Sequence, residues 1–201
     1  HELFCEMKEV STRPVVHAVW KWIEKLTLPH FNFGYTVNRP IADEYKNMYG
    51  KDFEVIRNLP LRDPVRPLEP DEKKERYFIY QGAVNEGRCF ETLIPAFRLV
   101  EAKLIICGDG NFMREARKLV ADNHLEEKVI FKGMIEPGQL REFTRNAWAG
   151  ITLFERAGKS NYLSLANRFF DYIQAGIPQL CVDYPAYREL NNSHPVAVLI
   201  K

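Results

Sequence analysis

The chain has 201 residues, with 28 Lys plus Arg against 27 Asp plus Glu, a net charge of +1. It therefore lacks the general basic field that holds nucleic acid non-specifically. Its apolar fraction of 46% suits a globular protein with a sizeable core, yet no apolar run approaches the ~20 residues that span a bilayer, and no signal peptide is visible.

The chain begins at His1 rather than methionine, which reads as a fragment, a processed form or a trimmed chain. His1 and Glu2 alone read as an unstructured terminal pair. Residues 13–29 read as a helix with an apolar stripe of Val15, Val16, Val19, Trp20, Ile23 and Leu26. FNFGYTV reads as a strand, and Asn38 as the cap of a helix running to Tyr49, with Pro40 tolerated in its first turn. FEVIR reads as a second strand. Residues 59–75 carry four prolines and many charges, a linker signature.

Beyond the linker, strands and helices alternate. RYFIYQG, KLIICGDG, KVIFKG, WAGITLF, QLCVD and VAVLIK read as strands. Residues 88–98, a segment capped by Asn111 and ending near Asp122, 137–146 and 164–175 read as helices. Such alternation with short connections predicts a parallel sheet covered by helices on both faces. Ligands of these sheets sit at the carboxyl ends of the strands.

The four cysteines, Cys5, Cys89, Cys107 and Cys181, show no zinc-binding spacing. Cys107 and Cys181 lie in apolar strand-like runs and read as buried thiols of a reducing cytoplasm. GDGN at 108–111 reads as a tight turn. In QGAVNEGR, Gly82 and Gly87 permit close backbone approach, and Arg88 stands at a helix start, where a cation gains nothing from the helix dipole; both a bound anion and open solvent suit it. In NRFFDYIQAGIP and the alanine before it, Ala166, Phe169, Phe170 and Ile173 form one apolar face, while Asn167, Arg168, Asp171 and Gln174 gather on the opposite one. Gly176 and Pro178 end that helix.

NRFFDYIQAGIP, preceded in order by YQGAVNEGR, IICGDG and VIFKG, resembles the donor-binding domain of the retaining GT-B glycosyltransferases of the bacterial group 1 family. HELF, YTVNRPIADEY and VIRNLP resemble the end of that family's N-terminal domain. The resemblance implies a Rossmann-like parallel sheet flanked by helices, with an incomplete N-terminal Rossmann-like portion. It divides the chain into 1–60, the end of the acceptor-side domain; 61–75, a linker; and 76–201, a nucleotide-sugar-binding domain. It also implies a sugar transfer from a UDP or GDP type nucleotide diphosphate sugar to a cell-surface polysaccharide or lipid-linked acceptor. No cofactor, metal site or nucleic-acid partner is implied. The expected location is the cytoplasm, with peripheral contact at the inner membrane face.

By the same resemblance, Gly82 and Arg88 face the donor diphosphate, and the backbone of Lys132, Gly133 and Met134 meets the base. Amides near Ala166, Asn167 and Arg168 cradle phosphate, and Asp171 accepts from ribose hydroxyls. His1 and Arg88 are the implied catalytic residues. Two departures from the family pattern stand out. Leu163 occupies the position of a first carboxylate, eight residues before Asp171, and Glu86 replaces a basic residue of the first loop. The expectation for this chain alone is donor binding without efficient turnover. The alternatives are a sugar-nucleotide epimerase of the same fold and a non-catalytic nucleotide-sugar-binding module.

Overall fold

The computed structural model describes residues 3–61 and 77–201. In chain order the elements are α1 (Lys8–Ser11), α2 (Pro14–Thr27), β1 (Tyr35–Thr36), α3 (Arg39–Tyr49), β2 (Glu54–Val55), β3 (Tyr77–Gln81), α4 (Phe90–Ala96), β4 (Lys103–Cys107), α5 (Met113–Asp122), β5 (Val129–Gly133), α6 (Pro137–Asn146), β6 (Ala149–Thr152), α7 (Lys159–Leu163), α8 (Asn167–Gln174), β7 (Gln179–Val182), α9 (Pro185–Ser193) and β8 (Ala197–Ile200). They form two compact units, each discontinuous in sequence. One comprises His1–Asn58, Glu155–Leu165 and Asp183–His194; the other comprises Leu59–Phe154, Ala166–Val182 and Pro195–Lys201.

In the first unit, β1 and β2 pair in parallel. Asn38 caps α3 as expected: its Oδ1 accepts from the Ile41 amide at 2.9 Å, and its Nδ2 donates to the Leu163 carbonyl at 2.7 Å. Leu163 thereby joins an apolar cluster with Leu3, Val37 and Ile41. The stripe on α2 does not become core among the described residues. Val15, Val19, Trp22 and Leu26 are all at least half exposed, while Lys21 and Glu24 on the other side are largely covered, and Lys21 bridges to Glu6 at 2.7 Å.

The second unit is a six-stranded, all-parallel sheet of order β5-β4-β3-β6-β7-β8. The chain steps outward from β3 to β5, then returns to lay β6 on the other side of β3. Right-handed crossovers then put α4 and α5 on one face and α6 and α8 on the other. The carboxyl ends of β3 and β6 flank the point where strand order reverses, which is where such sheets open a crevice. Alternation along β3 sends Tyr77 and Ile79 to the α6/α8 side, with Ile105, Cys107 and Tyr172. Tyr80 turns the other way onto Phe90, with ring centroids 4.7 Å apart. Cys5, Cys107 and Cys181 are buried, and burial pushes the Cys107 thiol up to about 11.

Several local expectations are corrected. Asn111 does not cap α5, whose N-cap is Phe112; its side chain serves the neighbouring loop instead. The helix expected over 164–175 begins only at Asn167, as α8, after extended backbone at Ser164 and Ala166, and a separate short helix, α7, precedes it over Lys159–Leu163. The buried face of α8 is rotated by one residue from the expected one. Arg168, Phe169 and Tyr172 are buried after Leu165, whereas Ile173 is exposed. Arg168 therefore lies inside, because aromatic rings flank it and a carbonyl receives its charge.

Candidate functional site

The loops after β3 and β4 are locked together at the carboxyl edge of the sheet. Val84 N–H donates to the Asp109 carbonyl at 3.0 Å, and Phe112 N–H donates to the Val84 carbonyl at 2.9 Å. Asn111 and the Asn85-Glu86 pair exchange side-chain and backbone bonds: Glu86 N–H donates to Asn111 Oδ1, and Asn111 N–H to Asn85 Oδ1, each at 3.1 Å. The glycines of GDGN make this possible. A Cβ on Gly108 would lie 1.9 Å from the Gly82 carbonyl oxygen, and one on Gly110 would lie 2.4 Å from that of Val84. Close approach of two loops, rather than turn geometry alone, requires these glycines.

Two cations converge at the switch point. The Arg168 guanidinium lies 4.4 Å from the Tyr80 ring centroid and 4.8 Å from that of Phe154. The Arg88 guanidinium lies 4.4 Å from the same Phe154 ring. Both gain cation–π attraction, and one ring at the end of β6 holds two positive groups close to each other. Arg168 Nη1 also donates to the Gln81 carbonyl at 2.9 Å.

On the α6/α8 side, a cleft of ≈ 240 Å³ is lined by residues that include Gln81, Leu140, Arg141, Thr144, Asp171 and Gln174. Asp171 Oδ2 accepts from Gln81 Nε2 at 2.8 Å. Burial raises the Asp171 carboxyl above the usual carboxylate range, against the opposing pull of the Gln81 amide, Arg141 and Arg168. A half-buried carboxylate that retains an acceptor oxygen suits a polyol hydroxyl.

Of the described residues expected at the site, Asp171 alone lines this cleft. Gly82 lies beside Arg168: a Cβ there would come within 3.2 Å of Nη1. Lys132 and Met134 are exposed at the end of β5, and the Gly133 carbonyl accepts from Gly108 N–H at 2.8 Å. Ala166 is the N-cap of α8 and Asn167 its first residue, without a side-chain cap. His1 lies outside the described residues. Gln81, Thr144 and Phe154 were missed. The signal for Gln81 was an amide on an inward-facing strand position, and the signal for Arg168 was its spacing with Leu165, Phe169 and Tyr172.

A family model described as "Glycosyl transferases group 1" matches residues 63–201. No curated protein matches the chain. Among solved structures, the chain is similar to TarM, at 14% identity and a TM-score of 0.71, covering 90% of this chain and 36% of that one. It is also similar to an S. aureus TarM mutant in complex with fondaparinux, alpha-GlcNAc-glycerol and UDP, at 13% identity and a TM-score of 0.65, covering 82% and 32%. The GtfA/B complex matches at 13% identity with a TM-score of 0.64, covering 89% and 36%. The chain thus spans about a third of the length of these solved relatives, whose similarity shows the fold. With more than two thirds of its length matched by the family model, the chain belongs to the group 1 glycosyl transferases.

Proposed function

We propose that the protein transfers a sugar, with retention, from a UDP or GDP type nucleotide diphosphate sugar to a cell-surface polysaccharide or lipid-linked acceptor. The observation that carries this reading is the convergence of Arg88 and Arg168 on Phe154 at the switch point, on the same sheet edge as the Asp171 carboxylate. The cations and the start of α8 suit a diphosphate, whose departing charge is what catalysis must stabilise. Asp171 suits the ribose, and the backbone at Lys132, Gly133 and Met134 suits the base. Gly82 leaves room for the diphosphate beside Arg168. His1 is assigned to the transferred sugar on family resemblance alone.

Binding lends itself to a thermal-shift panel of UDP, GDP, ADP and CMP with their sugars, because a ligand of the folded form raises apparent stability by mass action. A shift for a diphosphate nucleotide that Arg88→Ala abolishes supports the reading; no shift with any of them contradicts it. Sugar transfer by the same chain, given donor and acceptor, separates transfer from binding.

A second reading, donor binding without transfer, has one observation in its favour. Leu163, at the position of the family's first carboxylate, packs in an apolar cluster. A membrane-facing role for α2 rests on its exposed Val15, Val19, Trp22 and Leu26; flotation with anionic liposomes tests it, and absence of association removes it.

A further inference from the structure

Gln81 closes β3 and is 6% exposed. Period-two alternation places its side chain on the same sheet face as Tyr77 and Ile79, yet it is an amide where they are apolar. A buried amide needs partners at both ends. Its Nε2 donates to Asp171 Oδ2 at 2.8 Å, and its Oε1 accepts from the Thr144 hydroxyl at 2.7 Å. Thr144 is itself 3% exposed. Three elements, β3, α6 and α8, thus contribute one residue each to a short polar chain that ends on the carboxylate.

Charge decides which way the amide faces. An ionised carboxylate accepts from Nε2 and repels Oε1. Thr144 holds that orientation by donating to Oε1. The same hydroxyl lies 2.8 Å from the Leu140 carbonyl and has only one proton to give. If that proton goes to Leu140, Thr144 offers Gln81 only lone pairs. The amide then turns over, and Oε1 faces Asp171, an arrangement that fits only the protonated carboxyl. The trio therefore has two self-consistent hydrogen-bond patterns, one for each charge state of Asp171.

We propose that Gln81 and Thr144 are positioning residues for nucleotide recognition, committing Asp171 Oδ2 to the Gln81 amide and keeping Oδ1 as an acceptor for a ribose hydroxyl. This rests on the assignment of Asp171 to the donor ribose. Among the described residues, the charged groups facing Asp171 are Arg141 and Arg145 on α6 and Arg168 on α8; β3 contributes the neutral Gln81, and Pro60 and Leu61 bring no charge. Loss of the amide donor removes one of the interactions that oppose burial, so the carboxyl protonates at higher pH.

The test is the affinity of the 201-residue chain for UDP and for GDP, measured by calorimetry from acidic to neutral pH. The variants are Thr144→Val, Thr144→Ser, Gln81→Leu and Asp171→Asn, the last of which cannot titrate and reports the ligand's own protonation. Thr144→Val and Gln81→Leu are expected to move the acid midpoint of binding upward and to weaken binding about tenfold near that midpoint. Thr144→Ser is expected to keep the parent profile. Should Gln81→Leu not fold, the Thr144→Val and Thr144→Ser pair carries the comparison. If Asp171→Asn weakens binding while Thr144→Val and Gln81→Leu keep the parent midpoint, the positioning role is overturned and the ribose assignment stands. If Asp171→Asn binds with the parent profile, or the parent binds neither nucleotide, the ribose assignment fails and this inference with it.

Discussion

Arg168 donates from Nη1 to the main-chain carbonyl of Gln81 at 2.9 Å, which ties the first turn of α8 to the end of β3. One buried guanidinium thus spans from the α8 N-terminus to the strand beside the switch point, held between the rings of Tyr80 and Phe154.

Replacing Arg168 removes both the stacked plane and the donor. Arg168→Met is expected to cost about 2–4 kcal/mol, from the lost bond and imperfect repacking. Arg168→Lys should recover little of this, because an ammonium lacks the planar fork. Urea denaturation midpoints provide the check, and a Lys variant as stable as the parent would rule out the stacking account.

Two glycines should respond differently to the same change. Gly108→Ala drives a Cβ to 1.9 Å from a main-chain oxygen at φ +145°, and a loss of about 3 kcal/mol or more is expected from forced backbone movement. Gly133→Ala meets nothing within 4 Å at φ +66°, so only the left-handed strain of about 1–2 kcal/mol remains. Equal losses in thermal or urea denaturation would contradict the interlocking of the two loops.

Restoring the family's carboxylate should not be benign. Leu163 is 8% exposed among Leu3, Val37 and Ile41. Leu163→Glu would bury an unpaired charge, with an expected loss of about 3 kcal/mol or more. A stable Leu163→Glu protein with its carboxyl in the usual range would show that this side chain readily leaves the cluster.

Asp171 should make the ligand-free fold less stable at neutral pH. Its folded carboxyl is raised above its unfolded value, chiefly by burial. Its contribution is therefore fully favourable below the unfolded value and is lost as pH rises through the folded one. Asp171→Asn is expected to raise the denaturation midpoint at neutral pH, with the gain fading in acid, a stability–function trade-off. A variant equally destabilised at every pH would contradict the raised carboxyl.

The parallel sheet was legible because fully buried strands such as KLIIC and QLCV read as continuous apolar runs between turn signals. The cap at Asn38 was legible because capping is local. The face of α8 was not. Its apolar residues fit two faces one position apart, and only the neighbouring Tyr80 and Phe154 rings make Arg168 the inward choice. The Gln81–Thr144–Asp171 chain was hidden for the same reason: its members stand 63 and 90 residues from Gln81 in sequence, and nothing local brings them together. Helix α7 escaped because five residues are too short for clear periodicity.

The central claim is that a nucleotide diphosphate binds with its ribose at Asp171. Calorimetric titration of the parent chain and of Asp171→Ala with UDP and GDP tests it directly. The account predicts binding of one nucleotide by the parent and a loss of about tenfold or more in the variant. Equal affinity for both proteins would contradict it.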